Sequence, residues 1–368
     1  MIRRLLFLSI TAGISLCFLS CHTHERQSKF LITEPIVFSP KEASSIETLP
    51  EERDYNEIFA RANEHFDAGD INTAERYYHE ILAHNPTYPH TPFCYYNLGL
   101  IALKRRDYEQ AQSHFKAAYL MLTAVTDKAD ALYLRIHSLA RLARWQEIVD
   151  VTDMGLSNDF SLLSSTHQSF REILLQYAEA KAMLGFLEDA RRIVQHIVFE
   201  IRREHPPQET FFIPELAMAY FVMGRTFVSE FRATPFEGTF EKLVTKCTLI
   251  QEAQRWFLET IRVGIIYWTN AAAYELATLY RNFFDEMNNY PIPPELNDEE
   301  RFVYVCELWE KTAGLLRKAR RTLKRSIESA KQINEYNEFI EESLRLLVEI
   351  NAAYAAKETN CRTQRVVP

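Results

Sequence analysis

Residues 55–86 read YNEIFARANEHFDAGDINTAERYYHEILAHNP, and residues 92–118 read PFCYYNLGLIALKRRDYEQAQSHFKAA. Laid over one another at an offset of 37 residues, they place Gly99 on Ala62, Asp107 on Asp70, Ala111 on Ala74 and Phe115 on Tyr78. Each copy holds two helix-periodic segments separated by a short polar turn, Gly69-Asp70 in the first and Arg106-Asp107 in the second. The small residues allow two helices to cross closely, and the aromatic residues plug the groove toward the next pair.

The pattern resembles the tetratricopeptide repeat, a helix-turn-helix unit stacked in series. Ala62, Gly69-Asp70, Ala74, Tyr78 and Pro86 carry the resemblance in the first copy, and Tyr95-Tyr96-Asn97-Leu98-Gly99, Ala111, Phe115 and Ala118 carry it in the second. More degenerate copies start near Ala129, Arg171 and Ala217, and a sixth near Asn270. Ile136 and Ile148 replace small residues in the third, and Ser229 to Lys246 reads as an insertion within the fifth. The resemblance implies an all-α fold, a right-handed α-solenoid of about five to six degenerate helical hairpins with C-terminal capping helices. The helical stripe over 299–332, entered through Asn297-Asp298, and a second helix over 335–357 supply that cap. The expected organisation is a leader over 1–20, a lipidated cysteine and tether over 21–53, the solenoid over 54–290, the cap over 291–357 and a disordered tail over 358–368.

Composition agrees with long helices. Only 9 of 368 residues are glycine, and no G-x-G-x-x-G, G-x-x-x-x-G-K-[ST] or G-x-S-x-G occurs, so phosphate-cradling loops and nucleophile elbows are not expected. The formal net charge of -8, with no continuous basic arm, argues against nucleic acid as a partner.

Arg3-Arg4 followed by the apolar run Leu5 to Leu19 reads as a secretory leader, too short to span a bilayer of roughly 30 Å. Phe18-Leu19-Ser20-Cys21 resembles the lipobox of bacterial lipoproteins, which implies a diacylated, palmitate-bearing Cys21. His22 after that cysteine implies delivery to the outer membrane, on its periplasmic face. Residues 22–53 are polar and aperiodic, and as a flexible tether they would have an r.m.s. span of roughly 30 Å.

Candidate chemistry is sparse. His79 and His84 lie five apart, about 140° around a helix, and cannot share a metal face. No cofactor or metal is expected, and no acid, base and nucleophile constellation points to an enzyme. Cys94, Cys247, Cys306 and Cys361 read as buried free thiols, with three full pairings open if they oxidise. Arg317, Lys318, Arg320, Arg321, Lys324 and Arg325 form a basic run whose simplest role is a solvated face with partners such as Glu328. Its functional role would be contact with anionic headgroups, cell-wall polymer or an acidic partner.

In the family that the chain resembles, the first helix of each repeat lines a concave groove. Its fifth position carries Phe59, Tyr96, Tyr133, Leu175, Phe221 and Tyr274, and its ninth carries Asn63, Leu100, His137, Glu179, Arg225 and Thr278, with Asn97 beside Tyr96. Aromatic residues with interspersed hydrogen-bonding groups suit an extended peptide, though the same rings could equally pack between repeats. The family's chaperone-tail clamp places Lys where Phe59 stands, so that specificity is not implied. The expected function is a membrane-anchored periplasmic scaffold that holds a protein partner in envelope assembly or secretion. The alternative is a glycan- or ligand-binding surface lipoprotein on the same scaffold.

Overall fold

A computed structural model describes residues 54–158, 168–206 and 210–363. The expected leader, Cys21 and the tether lie outside the described residues, as does the tail from 364 onward. The described residues hold thirteen α-helices and no strand, so the all-α expectation holds. They fall into two compact units that divide between Leu184 and Gly185, inside the fourth repeat copy.

The first unit contains α1 (Tyr55–Asp67), α2 (Ile71–His84), α3 (Thr91–Lys104), α4 (Tyr108–Met121), α5 (Val125–Arg141), α6 (Trp145–Asn158) and α7 (Gln168–Met183). Successive helices pack as hairpins, and α5 also packs on α7. The turns explain where helices begin. Asp54, Asp70 and Asp107 cap α1, α2 and α4 by accepting hydrogen bonds from backbone N–H groups two or three residues on. Ahead of α2, Gly69 takes the left-handed conformation at φ 81°, and Arg106 and Ala143 adopt it at the matching places in the next two copies, at φ 61° and 55°. A side chain there costs roughly 1–2 kcal/mol of strain, so the turn geometry is imposed by the helix pairing and not by glycine alone.

The interior follows the expected small-and-aromatic scheme. Ala62, Ala74, Tyr78, Ala111 and Phe115 are completely enclosed. A Cβ on Gly99 would sit 2.6 Å from Cε1 of Phe115, so at this crossing the phenyl ring occupies the space that any side chain would need. In the third copy Ile136 and Ile148 are fully buried where small residues would otherwise stand.

The second unit contains α8 (Leu187–Glu204), α9 (Pro214–Ala233), α10 (Phe240–Val263), α11 (Ile266–Asn288), α12 (Asp298–Ile333) and α13 (Glu338–Thr363). Gly224 on α9 faces Phe257 on α10 at 2.7 Å from the position of a Cβ, the same contact as in the first unit. The expected insertion over Ser229 to Lys246 is instead mostly helix: α9 continues to Ala233 and α10 already begins at Phe240. Asn297 and Glu300 form a reciprocal capping box at the start of α12, which then runs 36 residues.

Two expectations at the C-terminus are corrected. Residues 358–363 are helical, as the last turns of α13. Cys361 on that stretch is disulfide-bonded to Cys306 on α12, with Cα atoms 5.5 Å apart, so only Cys94 and Cys247 are the buried free thiols expected of all four. The antiparallel α12–α13 hairpin brings residue 306 beside residue 361, a juxtaposition hidden while the tail was read as unstructured. On α13 Ile340, Ser343 and Ile350 are buried, while Leu344 is exposed. No helix among the described residues is long and apolar enough to cross a membrane.

Candidate functional site

The first-helix row of the N-terminal unit combines buried rings with half-open polar groups. Phe59 is buried, stacked on His90 at 5.1 Å and set edge-on to Tyr88 at 6.1 Å. Tyr96 is likewise buried, edge-on to Phe115 at 5.6 Å. Both were candidates to line a groove and both are core: Tyr88 and His90, in the connection ahead of α3, cover Phe59, and Phe115, on the second helix of the same hairpin, covers Tyr96. Phe221 in the second unit meets the same fate between Trp268 at 5.1 Å and Phe257 at 5.8 Å.

The polar members of the row behave differently. The Tyr78 hydroxyl, from α2, donates to Asn63 Oδ1 at 2.7 Å. Asn97 Nδ2, on α3, donates to the Tyr78 oxygen at 2.9 Å and to Asn63 Oδ1 at 3.2 Å. The network assigns both amides: Asn63 turns its oxygen inward and keeps its NH2 for a partner, while Asn97 turns its NH2 inward and keeps its oxygen. Both residues are half-buried, and neither remaining group has a hydrogen bond to a described residue. Tyr133 and His137 are also half-buried on α5; burial, with the Glu172 carboxylate adding to it, pushes the Tyr133 phenol above the usual tyrosine range. Farther along the row, Leu175 and Glu179 on α7 are buried.

In the second unit Arg225 and Arg232 approach opposite oxygens of the buried Glu275 at 3.8 and 3.9 Å, too long for tight hydrogen bonds. Tyr274 is half-buried near Phe339, with its phenol raised chiefly by burial. Arg225 and Tyr274 are both half-buried and lie in a different unit from Asn63 and Asn97.

Sequence reasoning missed Lys246. It is fully enclosed on α10, with Nζ 2.7 Å from Glu286 Oε2, 3.0 Å from the Phe231 carbonyl and 3.9 Å above the Phe231 ring. Glu286 also lines an open hollow of about 490 Å³ with Phe231, Arg232, Asn282, Asp285 and Asn289. Reading this segment as an insertion removed the one clue, a lysine on the apolar face of a helix.

On α12, Lys318 lies over the Tyr280 ring at 5.7 Å and Arg320 over the Tyr354 ring at 5.2 Å, while Arg317, Arg321, Lys324 and Arg325 are exposed. His79 and His84 are both exposed on α2, and His79 lies 6.5 Å from the half-buried His114 ring. Among the described residues no group of three His, Cys, Asp or Glu could hold a metal ion.

No protein-family model matches the chain, and no curated protein matches it. Among solved structures it is similar to a TPR repeats protein from Bacteroides fragilis NCTC 9343, at 15% identity over 82% of this chain and 99% of that one, with a TM-score of 0.29. A tetratricopeptide repeat protein from Parabacteroides merdae ATCC 43184 is 14% identical over 80% and 98%, with a TM-score of 0.39. PilW, a type IV pilus biogenesis factor, is 12% identical over 80% and 99%, with a TM-score of 0.38. At such TM-scores these likenesses add no argument to the architecture read from the helices themselves.

Proposed function

We propose that this chain is a non-enzymatic scaffold that holds an extended segment of a protein partner along the first-helix row of its N-terminal unit. One observation carries the reading: Asn63 and Asn97, on successive first helices, present an unused amide donor and an unused amide acceptor held in place by Tyr78. An extended peptide offers a C=O and an N–H to match, and asparagines fixed in advance lose little entropy on engaging them. The leader-like residues 1–20 and Cys21 support a lipid-anchored protein on the periplasmic face of the outer membrane, serving envelope assembly or secretion. The Cys306–Cys361 bond supports the same compartment, since disulfides persist where the surroundings are oxidising.

Asn63→Asp tests the groove. It keeps the inward oxygen that accepts from Tyr78 but replaces the outward donor with an acceptor. Photocrosslinking from position 137 in intact cells should capture a protein in the parent chain and several-fold less in the variant; equal yields would sink the reading. Cys21→Ala should move the protein from the membrane to the soluble fraction, and unchanged retention would overturn the lipid anchor.

A further inference from the structure

Exposed arginines in this protein are usually neutralised locally. Arg61 pairs with Glu57, Arg105 with Glu75, Arg255 with Glu252 and Arg345 with Glu342. The second half of α12 departs from that habit. Arg317, Arg321, Lys324 and Arg325 are exposed, and none makes a hydrogen bond or ion pair with a described residue. Glu328, one turn beyond Lys324 and also exposed, is left unpaired, so even the nearest acid on the helix is not used.

The placement is specific. At 100° per residue the four cations fall within an arc of about 100°, opposite the arc of the buried Leu316, Ala319, Leu323 and Ile327. Lys318 and Arg320 flank the arc and are held over Tyr280 and Tyr354, so the helix is fixed on both sides and the ridge between them points outward. From Arg317 to Arg325 the ridge runs about 12 Å. Between Gly314 and Glu328 that arc carries no apolar side chain. A docked peptide needs an aromatic or aliphatic anchor in a pocket, and this exposed arc, four cations ending in Glu328, provides none. An array of phosphates on a plane needs only cations that reach it.

We infer that this ridge docks against a membrane surface rich in anionic lipid headgroups. The chain carries a net charge of -8, so without the ridge such a surface would repel it. Each basic side chain close to an anionic leaflet strengthens attachment about fivefold, and four give two to three orders of magnitude at low salt, lost as screening shortens the reach of the charges. The inference stands apart from the peptide groove, which lies in the other unit.

The experiment compares co-sedimentation of the full chain with vesicles of phosphatidylcholine alone and of phosphatidylcholine mixed with phosphatidylglycerol. The apolar N-terminal stretch contributes to both, so the anionic-to-neutral ratio isolates the ridge. The parent should show a ratio well above ten at low salt that collapses toward one at about 0.5 M salt. Arg317→Gln, Arg321→Gln, Lys324→Gln and Arg325→Gln together should bring the ratio to one or below, with Arg321→Gln and Lys324→Gln alone intermediate and the melting curve unchanged. Arg255→Gln with Arg262→Gln, two cations that already pair with acids, should leave it unaltered. A parent ratio at or below one, or an equal fall in that control, overturns the inference. So does a labelled polyglutamate peptide that binds the parent but not the fourfold variant while the vesicle ratio is the same in both, which would assign the ridge to an acidic protein segment.

Discussion

Replacing Cys306 and Cys361 with alanine should destabilise the C-terminal unit by removing the cross-link between α12 and α13. The bond joins residues 55 apart, and closing a loop of that length in the unfolded chain removes entropy worth about 4 kcal/mol on the chain-entropy account. Both sulfurs belong to buried residues, 2% and 7% exposed, so alanine leaves small cavities and no stranded polar group. Other ties between α13 and the rest remain, including the Tyr354 ring edge-on to Trp309 at 4.9 Å and Glu338 accepting from the Tyr267 hydroxyl at 2.9 Å. The unit should therefore still fold, with its unfolding free energy lower by about 2–4 kcal/mol. Guanidinium titration of the full chain, followed by far-UV circular dichroism, reads the shift in the later or earlier of its transitions. Reductant should reproduce the shift in the parent and do nothing to the double variant. Coincident curves for parent and variant, or ready alkylation of both cysteines without reductant, would refute the reasoning.

Three further outcomes are expected. Gly99→Ala should destabilise the first unit by about 1–3 kcal/mol, because its methyl group meets the Phe115 ring, and Phe115→Leu in the same chain should recover part of the loss; thermal melting decides. Glu286→Ala should cost about 3–5 kcal/mol by leaving the enclosed Lys246 ammonium without its carboxylate, whereas Lys246→Met should cost far less, since Glu286 can turn to water; a reversed order in denaturant titrations would be fatal to this account. Burial holds His90 and His114 below the usual histidine value of 6.5, so the unfolded chain binds protons there first and stability of the N-terminal unit declines as pH falls below about 6.5. A second decline follows below the usual acid range, as Glu75, held low chiefly by its hydrogen bond from Arg105, becomes protonated; unfolding curves from neutral to acid pH in a His90→Gln, His114→Gln variant should lose only the first.

The first two hairpins were legible because their signals are chemical: a glycine or alanine where helices touch, an aspartate where a helix starts and a ring where the next pair must be filled. Ile136 and Ile148 blurred the third copy, yet they are enclosed all the same, because a backbone spacing can open to admit a branched side chain when its neighbours agree. Arg106 and Ala143 hid the periodic turn by adopting a conformation usually assigned to glycine. Whether Phe59, Tyr96 and Phe221 line a groove or pack between repeats stayed open in the sequence for a related reason. A ring on a helix surface looks the same in sequence whether the next hairpin covers it or not, and only the stacked neighbours decide. The Asn63–Tyr78–Asn97 network needed three positions on three helices, and the disulfide needed a hairpin whose second arm extends beyond its visible apolar stripe.

The two glycine-to-phenyl contacts have a consequence for how such a chain can be altered. Gly99 and Phe115 are separated by 16 residues, Gly224 and Phe257 by 33, and yet the rings approach the missing side chain at nearly the same distance, 2.6 and 2.7 Å. The joint and the arm length are thus independent variables. Turns of helix can be spliced into the far ends of a hairpin, as they are on either side of residues 234–239, without disturbing the hinge point at its waist. New surface, including an enclosed lysine and the hollow beside it, can be acquired by lengthening arms alone, which makes the hairpin tips the natural place to engineer this protein.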